Sequence, residues 1–244
     1  MVYFEKSIDY PVSGPLKVWE EPLKKHRYVI GADVAEGLEH GDYSSAHVIN
    51  AGTGNVAAHW HGHMDSDLYG EQLGLMGRWY NYALIGVEIN GPGHVPVAAL
   101  RRMNYPRLFR RRTIGNIAEK QVDQFGFLTN RISKPKIIEA LNSALRDDTI
   151  VIHDAETLAE LRSYIREYTT GGGVKMHGSP HDDRVMSLAI AWEMVSHQTD
   201  YPEVDPELEE GTFNYALERA LEFNRPNEKE MRIGVFNQRN QRKF

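Results

Sequence analysis

Four carboxylates could do chemistry together, two of them where a chain ordinarily avoids charge. Asp33 closes the apolar run Tyr28-Val29-Ile30-Gly31-Ala32, and Glu88 ends a second run, Ala83-Leu84-Ile85-Gly86-Val87. Desolvating a carboxylate is costly unless it is paired or bound to a cation, so an acid in a buried strand calls for a partner. An edge position or a salt bridge would answer that need as well as a metal would. Asp182 and Asp183 follow His181 at the head of a long periodic segment. One acid there is an ordinary helix cap, favoured by the helix dipole. Two adjacent acids, ahead of a face carrying the small residues Ala189 and Ala191, fit a site better. Carboxylates from two strands and one helix start make a hard oxygen donor set, suited to Mg²⁺ or Mn²⁺.

Other chemistries find less support. The chain has no Cys, which excludes disulfides, thiolate nucleophiles and Cys-ligated metals. His59, His61 and His63 alternate and so share a strand face. Exposed strand faces tolerate His, however, and no Glu-containing zinc motif accompanies these three. His94, His153 and His177 have no ligand spacing. His181, beside the acids, suits an acid–base or supporting role, or simply a turn. Neither a Gly-x-x-x-x-Gly-Lys-[Ser/Thr] phosphate loop nor a Gly-x-Ser-x-Gly elbow occurs in the sequence. Asn90-Gly91-Pro92-Gly93 reads either as a phosphate-approaching turn or as an ordinary strand-to-helix loop.

The elements that must position the acids follow from periodicity. Residues 1–26 show no sustained pattern and read as a linker or irregular lead-in. Tyr28 to Val34, Ser45 to Ala51 and Val56 to His63 predict three antiparallel strands, with Gly52, Thr53, Gly54 and Asn55 as one turn. Leu68 to Tyr82 is helical, Leu84 to Ile89 a buried strand, and Val95 to Arg102 helical again. Arg107 to Phe109 and Thr149 to Ile152 suit short strands. Lys136 to Arg146, with Ser133 as cap, Ala155 to Tyr168 and Asp182 to His197 are helices, and Gly171 to Gly173 a loop. Three antiparallel strands followed by alternating helices and strands predict an α/β protein with a mixed sheet and helices on its faces. After residue 198 the composition turns acidic, then gives a candidate helix at Phe213 to Phe223 and a basic tail, which together read as a mobile appendage at 199–244.

At 244 residues, with 41% hydrophobic and 25% charged residues, the chain has ample material for one large domain and an appendage. No apolar run approaches the roughly 20 residues that a membrane span needs, and the first ten residues lack signal-peptide character. Cytosol is the default expectation. The net charge of −6 argues against non-specific coating of nucleic acid. That total conceals segregation, because Arg101, Arg102, Arg107, Arg110, Arg111 and Arg112 crowd one stretch while acids crowd 200–210.

In order, Gly31-Ala32-Asp33-Val34-Ala35-Glu36-Gly37, Gly41-Asp42-Tyr43-Ser44, Val87-Glu88-Ile89-Asn90-Gly91 and His181-Asp182-Asp183-Arg184-Val185-Met186-Ser187-Leu188-Ala189 resemble the nuclease domain of the large terminase subunit of tailed bacteriophages. The resemblance spans roughly residues 27–197, and Tyr105-Pro106-Arg107-Leu108-Phe109 and Ile114-Gly115 share its pattern. It implies an RNase H-like, RuvC-like fold that cuts double-stranded DNA during viral genome packaging, using Mg²⁺ or Mn²⁺. Carried over, Asp33 is the first-strand ligand, Glu88 the ligand on the later strand, and Asp182 and Asp183 the helix acids, Asp183 being favoured as the direct one. The resemblance also implies an ATPase motor domain outside these residues, a small terminase subunit and a portal as partners, and the cytoplasm of an infected bacterium as location.

On this reading two ions, about 3.5–4 Å apart and bridged by Asp33, would activate water and stabilise the leaving oxygen. Arg101 to Arg112 would offer DNA a phosphate-binding surface without base readout, with Arg131, Lys134 and Lys136 as a second rim. Three rivals remain at this level: a RuvC-like junction resolvase, a non-catalytic RNase H-like module that docks DNA or a partner, and a glycosidase using paired acids without metal.

Overall fold

The computed structural model describes residues 15–35, 43–112, 123–170, 182–201 and 204. The chain divides into two compact units, Met1–Glu203 and Val204–Phe244. The strands and helices that follow belong to the first. The candidate helix at 213–223, the loop at 171–173, His177, His181 and Ile114-Gly115 lie outside the described residues.

Strands β1 (Leu16–Val18), β2 (Tyr28–Asp33), β3 (Ser44–Asn50), β4 (Val56–Gly62) and β5 (Leu84–Val87) form one sheet in the order β1-β4-β3-β2-β5. β2, β3 and β4 are the expected antiparallel meander. β5 adds to β2 in parallel, with Val29 opposite Leu84 and Ala32 opposite Val87. A parallel neighbour requires a crossover, supplied here by α1 (Ser66–Trp79). This is the RNase H-like mixed sheet. The short edge strand β1 comes from the stretch expected to be an irregular lead-in, and it pairs with β4 through Leu16 opposite Trp60.

The remaining elements are α2 (His94–Arg102), a two-stranded ribbon of β6 (Arg110–Arg112) and β7 (Asp123–Phe125), α3 (Ser133–Arg146), α4 (Ala155–Thr170) and α5 (Asp183–His197). Two segments expected as strands make only single bridges, Ile85 with Leu108 and Asn55 with Val151. Asn130 rather than Ser133 leads into α3, its Oδ1 accepting the N–H groups of Ile132 and Ser133.

Helices cover both faces. Alternation along β4 sends His59 and Trp60 to opposite sides. Trp60 packs on Tyr69 of α1, while Leu161 and Tyr164 of α4 and Val185, Leu188 and Ala189 of α5 join Ile137, Ile138 and Leu141 of α3 in the core of the other layer. α5 lies directly on β2 because Gly31 has no side chain: a Cβ there would stand 2.0 Å from the Ala191 nitrogen and 2.3 Å from the Ser187 carbonyl oxygen. This close approach brings the start of the helix to the C-terminal end of the strand that carries Asp33.

Candidate metal centre

Asp33 ends β2, and the parallel register continues one step beyond Ala32 and Val87 to place Glu88 beside it, with the Glu88 N–H bonded to the Ala32 carbonyl at 2.8 Å. Carboxylates at the ends of adjacent parallel strands occupy the edge where α/β sheets gather ligands. Gly31 faces α5, so Asp33, two residues on, faces the same side and meets the first turn of that helix.

There the structure separates the two readings of Asp182 and Asp183. Asp182 is the N-cap by backbone position, yet its side chain makes no capping hydrogen bond. The cap comes from α4, where Glu160 Oε1 accepts the Val185 N–H at 3.0 Å. Asp182 Oδ2 instead accepts from Lys134 Nζ at 2.9 Å. Burial opposes the charge on Lys134, but Asp182 outweighs it and raises the ammonium above its ordinary value. Asp183 is buried, and its Oδ2 accepts the Tyr43 N–H at 3.3 Å.

Three of the acids act on the fourth, Asp33. Burial, a hydrogen bond with Glu88, and the charges of Glu88, Asp183 and Asp182 push Asp33 well above its ordinary value of 3.8. Protonation of Asp33 therefore relieves repulsion that a divalent ion would also relieve. Among the described residues no three His, Asp or Glu side chains have the spacing of a ready-made ion site. The donor set nonetheless suits a hard cation, being all carboxylate oxygen, mutually repelling, with a single lysine beside it at Asp182. Glu88 is oriented from behind: the Thr129 hydroxyl donates to Glu88 Oε1, and Asn90 Nδ2 donates to the Thr129 carbonyl at 2.8 Å. Sequence patterning missed Thr129, and read Asn90 only as part of a turn, because the partners lie some 40 residues apart.

The expected DNA-facing arginines divide. Arg107 is buried and donates to the Tyr82 and Gln198 carbonyls, both at 3.1 Å. It is therefore a structural arginine, closed to phosphate, and the expectation that it faces DNA is corrected. Arg101 and Arg110 are exposed and flank the Phe125 ring at 4.9 and 5.7 Å. Arg102 is exposed, and Arg111 donates to Gln124. The side chain of Arg112 lies outside the described residues. In the second rim, Arg131 is exposed, while Lys136 pairs with Glu193 at 2.8 Å and Lys134 with Asp182.

The alternating histidines also divide. His59 is buried 3.2 Å from Asp154, and its Nε2 lies 3.0 Å from Ser45 Oγ. Ser45, His59 and Asp154 thus stand in the order of a nucleophilic triad, but they are at most 3% exposed, and no substrate reaches them. His61 stacks on Tyr43 with ring centroids 4.6 Å apart, and His63 lies 3.9 Å from the same ring. Burial and the Arg184 charge push His61 down to about 3.

No protein-family model and no curated sequence matches the chain. Solved structures do. The large terminase nuclease of thermophilic phage G20c with bound magnesium superposes with a TM-score of 0.57 at 24% identity, over 75% of this chain and 89% of its own. The zinc-bound form of that nuclease gives 0.52 at 24% identity, over 75% and 90%. The large terminase nuclease domain of Thermus phage P74-26 gives 0.54 at 23% identity, over 73% and 85%. The chain therefore has the fold of the large terminase nuclease domains.

Proposed function

We propose that this chain is a metal-dependent endonuclease that cuts double-stranded DNA, with low sequence specificity, during packaging of a viral genome. The observation that carries the reading is the placement of Asp33 and Glu88 at the ends of two adjacent parallel strands, with Asp33 held well above its ordinary value by burial and by the charges of Glu88, Asp183 and Asp182. The fold shared with large terminase nucleases, solved with magnesium, cobalt or zinc, supports it.

When bound, two divalent ions would supply Lewis acidity and an activated water. Asp33, Glu88 and Asp183 are the residues that would hold the ions, with Asp182, paired with Lys134, as a further acid beside them. Thr129 and Asn90 hold the Glu88 carboxylate in place. Asp183 is buried and Asp33 half-buried, which limits water around the charges and strengthens their hold on a cation. Arg101, Arg102, Arg110 and Arg111 offer positive charge to the phosphate backbone and no base-reading geometry, hence the low specificity. An ATPase motor domain, a small terminase subunit and a portal are the partners this role requires, in the cytoplasm of an infected bacterium. Among the described residues no helix is long and apolar enough to cross a membrane.

Plasmid cleavage by the purified chain with Mg²⁺, Mn²⁺, Ca²⁺ or EDTA tests the reading. Cutting with Mg²⁺ or Mn²⁺ that vanishes in EDTA and in folded Asp33→Ala and Asp183→Ala proteins is expected. Cutting that survives both substitutions would place the chemistry elsewhere.

A further inference from the structure

Beneath the acids, six side chains close into a ring. His59 Nδ1 stands 3.2 Å from Asp154 Oδ2, and His59 Nε2 3.0 Å from Ser45 Oγ. Ser45 Oγ lies 2.8 Å from Ser187 Oγ, which lies 2.8 Å from His47 Nδ1. His47 Nε2 reaches Thr157 Oγ1 at 3.3 Å, and Thr157 returns to Asp154 Oδ2 at 2.7 Å. The six belong to β3, β4, α5, the first turn of α4 and the residue before it, and none is more than 3% exposed.

Burying six polar side chains where apolar ones would pack is unfavourable unless nearly every donor and acceptor is used, and then the network is rigid and directional. Burial keeps His47 and His59 below their ordinary value and hence neutral, while the buried Asp154 is held ionised by His59, Thr157 and Lys17. The ring then has five donor protons: one each from the two imidazoles, Ser45, Ser187 and Thr157. A consistent assignment runs Ser45 to His59, Ser187 to Ser45, His47 to Ser187 and Thr157 to Asp154, while the His59 Nδ1 proton faces Asp154 at 3.2 Å without hydrogen-bond geometry. The pair left without a proton is the longest, His47 to Thr157. The Ser187 to Ser45 bond is retained, with the Arg184 carbonyl, 3.1 Å away, as the competing acceptor.

That bond joins the two elements whose relative position matters most to the site. Ser45 lies opposite Asp33 in the β2–β3 register. Ser187 lies one turn after Asp183 on the face of α5 that meets β2. Small-residue packing against Gly31 sets how near α5 comes to the sheet, and Glu160 and Arg184 tie its first turn to α4. The hydroxyl pair at 2.8 Å ties it directly to β3. We propose that Ser45 and Ser187 are positioning residues, whose contact sets the axial position of α5 and thereby the separation of Asp183 from Asp33 and Glu88 at which a divalent ion binds.

This inference rests on the proposed metal centre, and its test separates the two. Mn²⁺ alone is titrated calorimetrically into the full chain and its Asp183→Ala, Ser45→Ala and Ser187→Ala variants, without DNA, well below each melting temperature. Wild-type binding that is lost in Asp183→Ala and weakened about 10–100-fold in each serine variant, with the double variant little worse than either single one, is the expected result. A ring that only stabilises the fold would lower the melting temperature and leave Mn²⁺ affinity unchanged in the folded variants, which overturns the positioning role while the nuclease reading stands. If Ser187→Ala does not fold, Ser187→Cys, which keeps the size with a weaker donor, decides by the same criterion. Absence of Mn²⁺ binding to the wild-type chain would remove the metal centre and this inference with it.

Discussion

Glu160 accepts the Val185 N–H at 3.0 Å, so the first turn of α5 is capped by a carboxylate from α4. Arg184 pairs with Glu160 at 3.4 Å and with Glu156 at 2.8 Å, fastening the same turn from outside. A helix start capped from elsewhere does not need its own two aspartates for capping, and both turn to other partners.

Glu160→Ala removes that cap and is expected to cost about 1 kcal/mol of stability, the usual penalty for losing a capping oxygen. Glu160→Gln keeps an acceptor for Val185 and should cost less. Urea denaturation of the three proteins at one pH checks the order.

Asp33 yields a pH prediction for the metal-free protein. An acid raised in the folded state contributes stability that is complete below its unfolded value, near 3.8, and lost as pH rises through the folded value. In EDTA, Asp33→Asn should therefore melt above the wild type at neutral and alkaline pH, with the gap closing as pH falls toward 3.8. Mn²⁺ should narrow the gap by stabilising only the wild type. Thermal melts across pH with and without Mn²⁺ provide the measurement.

The helix acids should differ in weight. Asp183 is buried at the site, whereas Asp182 is partly exposed and tied to Lys134. Asp183→Asn is expected to abolish cutting, and Asp182→Asn to reduce it about 10–100-fold, the range for a group that supports a ligand rather than acting as one. Thr129→Val, which deprives Glu88 of its hydroxyl donor, belongs in the same range. Cleavage rates against Mn²⁺ concentration distinguish weakened metal binding from slower chemistry.

The arginines should separate by burial. Arg101→Ala and Arg110→Ala are expected to weaken duplex binding for every sequence alike, and each phosphate left without its arginine should reduce the slope of log affinity against log salt by about 0.9. Arg107→Ala should instead destabilise the fold by about 1–3 kcal/mol, because it strands the Tyr82 and Gln198 carbonyls. DNA-binding isotherms at several salt concentrations, beside urea melts, check both.

Much of the scaffold was legible because it is written locally. The short apolar runs of β2, β3 and β4 and the helix α5 appear where expected, although α5 is buried continuously from Val185 to Ala191 rather than along one face. The strands expected at residues 107–109 and 149–152 shrink to single bridges; Leu108, Phe109 and Ile150 turn into the core while Val151 is exposed. β1 was invisible, as three residues are too few to show a period and pairing with β4 alone makes them a strand.

By itself the sequence determined which acids were candidates for a site. Acids at the ends of two apolar runs and at one helix start, in a chain without Cys, pointed to hard-cation binding, because the cost of burying charge is a property of each residue and its neighbours. Tertiary structure decided the rest: that Glu160 does the capping, that Arg107 faces inward, and that Ser45, His47, His59, Asp154, Thr157 and Ser187 close on one another. Ser45 and Ser187 are 142 residues apart, and hydrogen bonds between such distant polar side chains depend on where the folded layers meet, which no local period encodes.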